Sequence, residues 1–119
     1  MLEAEGAVEP KVKLWVEEGG LLVLSDYRVQ LLQNVADTGS LAQAAERMGL
    51  SYRRAWGKIK EIEQNLGVRL VQSEAGGVGG GRTRLTPTGE KLLAQYGRFR
   101  AAVEAGVDRD FAEAFGPKA

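Results

Sequence analysis

The chain contains no histidine and no cysteine. Without them there is no imidazole base, no thiolate nucleophile, no Ser-His-Asp triad and no zinc or iron–sulfur site built on His or Cys. Nor can a disulfide framework form, as suits a reducing compartment. Long apolar runs are missing too. The longest drawn from Leu, Ile, Val, Met and Phe is Leu21 to Leu24, against the roughly 20 residues that span a bilayer. Residues 1–11 carry three glutamates before their only lysine and no apolar stretch, unlike a secretory signal. A soluble cytoplasmic protein with no membrane contact, no metal, no cofactor and no enzymatic activity is expected.

What remains is ordinary globular material: 119 residues, 44% hydrophobic and 27% charged, enough for one domain with a real core. Lys and Arg balance Asp and Glu at 16 each, but they are not evenly spread. Residues 1–50 hold four basic against eight acidic side chains, and residues 85–119 hold five of each. Residues 51–84 hold seven basic residues (Arg53, Arg54, Lys58, Lys60, Arg69, Arg82, Arg84) against Glu61, Glu63 and Glu74. A basic block inside a neutral chain is either a footprint for phosphates or a solvated charged face.

The hydrophobic pattern predicts an order of elements. Val12, Leu14 and Val16 alternate with polar residues, and after Glu18-Gly19-Gly20 comes the run Leu21 to Leu24, which reads as a β-hairpin. Trp15 falls on the polar face of that hairpin and calls for cover from another element or subunit. Ser25 or Asp26 caps a helix with apolar Val29, Leu32, Val35 and Ala36, ended by Gly39. Ser40, with Gln43 as a capping-box partner, opens a second helix whose inner face carries Leu41, Ala44, Ala45 and Met48. Gly49 closes it, and Ser51 caps a third helix running to Leu66 and ended by Gly67. Short strands are expected at Val68 to Ser73 and Arg82 to Leu85, joined by a loop in which five of residues 76–81 are glycine, a long mobile tip. Thr86-Pro87 opens a last helix. Its apolar positions run from Leu92 to Phe115, with Gly97 and Gly106 predicting a bend or fraying toward the end.

The segment 40–66 has a helix-turn-helix layout, in which Ala44 and Ala45 allow close helix approach and Leu50 plugs the turn. On the third helix, Tyr52, Ala55, Trp56, Ile59, Ile62 and Leu66 share a sector of about 120°. Arg53, Arg54, Gly57, Glu61 and Gln64 face the other way, with Lys58 and Lys60 at the borders. Arginines near the N-terminus of a helix suit guanine edges in a major groove. Gly57 suits close approach to a duplex or to another helix, and Ser51 can bind phosphate while capping. A β-hairpin with Arg82 and Arg84 follows, as in a winged helix, where arginines neutralise phosphate and glycine permits close approach. The same glycines do not make a nucleotide loop: Arg82 stands where a Walker loop needs Gly-Lys-Ser/Thr, and no Gly-x-Gly-x-x-Gly starts at 76–81.

These residues resemble a known family. Gly39-Ser40-Leu41 with Ala44-Ala45, Met48 to Arg53 with Ala55-Trp56, Leu66-Gly67, the glycine loop, and Leu85-Thr86 with Gly89 are similar to the N-terminal domain of the molybdate-responsive ModE regulators, which are akin to LysR-type DNA-binding domains. The likeness covers roughly 80 of the 119 residues. It implies an α+β winged helix-turn-helix with an N-terminal β-hairpin and a long C-terminal helix, forming a homodimer that reads a palindromic operator on double-stranded DNA. It also implies that the C-terminal molybdate-binding domains of that family are missing, because the chain ends about 20 residues past the winged helix. Any link to molybdate-related genes rests on the likeness alone, and a separate effector-sensing partner is one way such a protein would respond.

The expected organisation is a flexible N-terminus at 1–11, a DNA-binding domain at 12–86 with its wing at 68–86, and a dimerisation helix and tail at 87–119. The expected DNA-binding residues are Ser40, Ser51, Tyr52, Arg53, Arg54, Gly57, Lys58, Lys60, Arg82 and Arg84. The expected dimerisation residues are Val29, Leu32, Tyr96, Phe99, Val103 and Phe111, because a single small domain cannot cover the whole apolar stripe of the last helix. The alternative is a winged helix used as a protein-interaction module without specific DNA binding, which the zero net charge allows.

Overall fold

A computed structural model describes residues 8–74 and 81–116. The expected glycine-rich wing tip, apart from Gly81, and residues 1–7 lie outside them. The elements are β1 (Trp15–Glu18), β2 (Leu21–Ser25), α1 (Asp26–Thr38), α2 (Leu41–Arg47), α3 (Tyr52–Leu66), β3 (Val71–Glu74), β4 (Arg82–Leu85) and α4 (Pro87–Phe115). Each helix starts where a hydroxyl residue caps it. Ser25, Ser40, Ser51 and Thr86 accept from the backbone N–H of Arg28, Gln43, Arg54 and Gly89, so that each cap satisfies a donor the helix itself leaves open.

The first hairpin is shorter than the alternation predicts. Strand pairing begins at Trp15: the Leu14 carbonyl still accepts from the Asp26 N–H at 3.3 Å, whereas the Val12 carbonyl accepts from Arg100 of α4. A bulge between Val16 and Glu17 leaves Val23 without a cross-strand partner, and consecutive Val23 and Leu24 are both buried. A strictly alternating strand would turn one of them to solvent. Among the described residues nothing covers Trp15: it is 56% exposed, and its indole N–H donates to Glu17.

Helices α1, α2 and α3 enclose the core around Leu31, Leu32, Val35, Ala44, Ala45, Ala55, Ile59 and Ile62, closed from the wing side by Leu70, Val71 and Leu85. Along α1 the expected inner set shifts: Leu31 is buried, whereas Ala36 is exposed. The turn between α2 and α3 places Gly49 at φ +68°, a left-handed conformation that costs glycine little. Strand β3 starts at Val71 rather than Val68, because the preceding residues bond to α3 and to the start of α4. It pairs antiparallel with β4, Gln72 opposite Arg84 and Glu74 opposite Arg82. The arrangement is a winged helix-turn-helix, with α3 as the second helix of the motif and β3–β4 as the wing.

The last helix does not end at Gly97 or Gly106. It is continuous over 29 residues, a length of about 43 Å. Its first turns pack on the domain, and from Ala101 to Gly116 no residue is buried. No helix among the described residues is long and apolar enough to cross a membrane.

Candidate nucleic-acid interface

Strong amphipathicity fixes which side of α3 looks outward. Ala55, Ile59 and Ile62 are fully buried, which turns Arg53, Arg54, Gly57, Glu61 and Gln64 to the surface. Tyr52 departs from the expected apolar sector. As the first residue of the helix it projects past the edge of the core and is 58% exposed, beside the two arginines. Ser51 holds the helix start through its bond to the Arg54 N–H at 3.1 Å.

The basic residues divide by what they touch. Among the described residues Arg53 and Arg54 form no ion pair, which leaves both guanidinium groups for an external anion. Lys58 lies over the Tyr27 ring, 5.3 Å from its centroid. Lys60 is more committed: its ammonium lies 4.5 Å from the Trp56 ring centroid and 3.4 Å from a Glu63 carboxylate oxygen. Arg84 reaches diagonally across the wing to Glu74 at 3.5 Å. Arg82, opposite Glu74 in the ladder, instead lies across Gly39 at the α1–α2 junction, where a side chain would come within 3.1 Å of its guanidinium. The Thr83 N–H donates to the Gly39 carbonyl at 3.1 Å and ties β4 to that junction. Ser40, next in the chain, caps α2 at partial exposure. Arg82 and Arg84 flank an open cleft of about 470 Å³ between α1, β4 and the start of α4.

Two charged residues with structural roles were not singled out from the pattern. Arg28 is buried in α1, donates to the Leu22 carbonyl at 3.0 Å and pairs with Glu61 at 3.1 Å. Glu63 is 7% exposed. Both were detectable: Arg28 stands four residues before Leu32, and at about 100° per residue Glu63 falls inside the apolar sector of α3.

The expected dimer residues separate in the same way. Leu32 is wholly inside the chain's own core and has no surface left for a partner. Tyr96 is also turned inward at 5% exposure, with its hydroxyl donating to Asp26. Arg100 braces the same carboxylate at 3.0 Å. Burial, and then the adjoining Asp26 carboxylate, push the Tyr96 phenol up to about 12. Val29, Val103 and Phe111 are half-buried and Phe99 is 50% exposed, so these four remain available at the surface.

With this geometry in place, known proteins are informative. The family model for bacterial regulatory helix-turn-helix proteins of the lysR family matches residues 27–90. Molybdenum-pterin-binding protein MopB of Rhodobacter capsulatus is 45% identical over 80 residues, 67% of this chain and 28% of MopB. The DNA-binding transcriptional dual regulator ModE of Escherichia coli (strain K12) is 41% identical over 69 residues, 58% of this chain and 26% of ModE. The chain thus spans about a quarter of the length of these curated relatives. Among solved structures, the crystal structure of a CbnR_DBD–DNA complex aligns with a TM-score of 0.57 at 26% identity, covering 74% of this chain and 95% of that one. A BenM_DBD/benA DNA complex aligns at 0.55 and 19% identity, covering 74% and 93%, and supports the fold alone.

Proposed function

The chain belongs to the lysR family of bacterial regulatory helix-turn-helix proteins, and from that premise we propose that it is a transcriptional regulator that reads a palindromic operator on double-stranded DNA as a homodimer. The observation that carries this reading is the outer face of α3, where Arg53 and Arg54 stand exposed and without an ion pair among the described residues beside Tyr52 and the helix start. Helix N-terminal arginines are the groups that pair with guanine in a major groove. Ser40, Ser51, Arg82 and Arg84 would supply phosphate contacts. Lys58 can join them, whereas Lys60 serves α3 internally.

The dimer is part of the proposal. Two copies of α4 meeting through Phe99, Val103 and Phe111, with Val29 at the margin, would cover the half of that helix which the domain leaves bare. Relatives named for molybdenum support a link between the target genes and molybdenum. In this reading the protein is a cytoplasmic DNA reader with no catalytic role.

Arg53→Ala and Arg54→Ala test the assignment. Each is expected to cost roughly 1–3 kcal/mol of discrimination at one base position, with thermal unfolding unchanged. Full retention of affinity and sequence preference by both variants would move the reading to a winged helix that binds protein.

A further inference from the structure

Glu63 is the only charged side chain that α3 buries. One of its carboxylate oxygens accepts from two consecutive backbone N–H groups, Leu70 at 2.7 Å and Val71 at 3.1 Å, where the wing begins. The other faces Lys60, which is held in turn over Trp56. Bonds from a carboxylate to backbone amides are stronger than neutral ones, and losing the acceptor would strand two buried donors. The same stretch is gripped from its other side: the Leu70 carbonyl accepts from the Thr86 N–H at 2.9 Å, and the Thr86 hydroxyl donates to the Arg69 carbonyl at 2.7 Å. Residues 69–71 are therefore fixed between α3 and the start of α4. Through the β3–β4 ladder, this placement sets where Arg82 and Arg84 stand relative to Arg53 and Arg54.

We propose that Glu63 is a positioning residue for DNA recognition. Its carboxylate clamps the base of the wing to the recognition helix, so that the wing arginines and the α3 arginines meet one duplex in a fixed register. Glu63 itself is turned away from the DNA-facing side and acts through the wing. The inference rests on the DNA-binding reading above and extends it to a residue that touches no nucleic acid.

The test is a mutant cycle on a duplex enriched from a randomised pool. Glu63→Met keeps the volume but removes the acceptor, and Glu63→Gln keeps an acceptor oxygen. Affinity is expected to fall about tenfold for Glu63→Met and to be largely restored in Glu63→Gln. In the Glu63→Met background the combined Arg82→Ala and Arg84→Ala change should lose most of its effect, because an unclamped wing has already given up its contacts. Arg53→Ala should retain its full effect. In the free protein, hydrogen exchange should accelerate at the Leu70 and Val71 amides, while Leu31, Leu32 and Val35 stay protected. Wild-type affinity with an undiminished wing effect overturns the proposal, as does exchange that accelerates equally throughout the core. Should Glu63→Met fail to fold, Glu63→Asp, too short by one methylene to reach both amides, takes its place in the same cycle under the same criteria. If the wild type selects no duplex, the DNA-binding reading falls, while exchange at Leu70 and Val71 still decides whether the clamp exists.

Discussion

A glycine on an exposed helix face costs about 1 kcal/mol relative to alanine, and nothing within the described chain requires one at Gly57, where a Cβ would meet no atom within 4 Å. In the proposed DNA-binding mode its position one turn beyond Arg53 and Arg54 would supply an external reason, a close approach of α3 to the duplex. Gly57→Ala is therefore expected to move two measurements in opposite directions. Stability toward thermal unfolding should rise by about 1 kcal/mol, while affinity for the selected duplex falls. A stabilised variant with unchanged affinity would leave the glycine without a role. Tyr96 makes a second residue-scale prediction. Its phenol is raised from 10.0 to about 12 in the folded chain, so the fold favours the protonated form. That stabilisation is complete below pH 10 and is lost as pH rises from there through about 12. Tyr96→Phe should lower stability by about 1–3 kcal/mol at neutral pH and weaken the alkaline loss, as denaturant titrations across that range would show.

At the scale of elements, the wing and the long helix are joined at one tight contact. Gly89, in the first turn of α4, lies so close to the wing base that a Cβ would stand 2.5 Å from the Leu70 carbonyl oxygen. Backbone on both sides leaves little room for adjustment, so Gly89→Ala should destabilise by about 1–3 kcal/mol. An unchanged unfolding midpoint would mean that α4 can shift without cost. Most of these elements were legible in the sequence because their signals are local. Ser25, Ser40, Ser51 and Thr86 cap the helices they precede, and Pro87 begins α4. The misreadings concern residues whose bonds are made far along the chain. Val12 looks like a strand residue until Arg100 claims its carbonyl, and Val68 to Leu70 do so until the Glu63 carboxylate takes the Leu70 N–H and Thr86 takes the Arg69 and Leu70 carbonyls. The two glycines of α4 do not interrupt the helix, which runs on to Phe115. The candidate interface was legible in the same measure. The α3 wheel turned Arg53 and Arg54 outward correctly, but no periodicity reveals that Lys60 is tied to Trp56 and Glu63.

For the whole molecule, the extended half of α4 and the zero net charge pull in different directions. A helix with no buried residue from Ala101 onward carries half-buried Val103 and Phe111 beside exposed Phe99, an apolar stripe that a second copy would cover. Sedimentation at tens of micromolar is expected to give a dimer for the wild type and a monomer for the combined Phe99→Glu and Val103→Glu variant. A monomeric wild type would remove the dimer from the account. The net charge bears on the more central matter of whether the local basic face, set within an overall neutral chain, suffices to bind DNA. Binding through a few phosphate contacts would give a modest but definite salt dependence. The most direct test is a fluorescence-anisotropy titration of the purified protein against randomised duplex DNA at two salt concentrations, with the bound fraction sequenced. The account predicts enrichment of a palindromic motif and an affinity that weakens as salt rises, and failure to bind any duplex at low salt would contradict it.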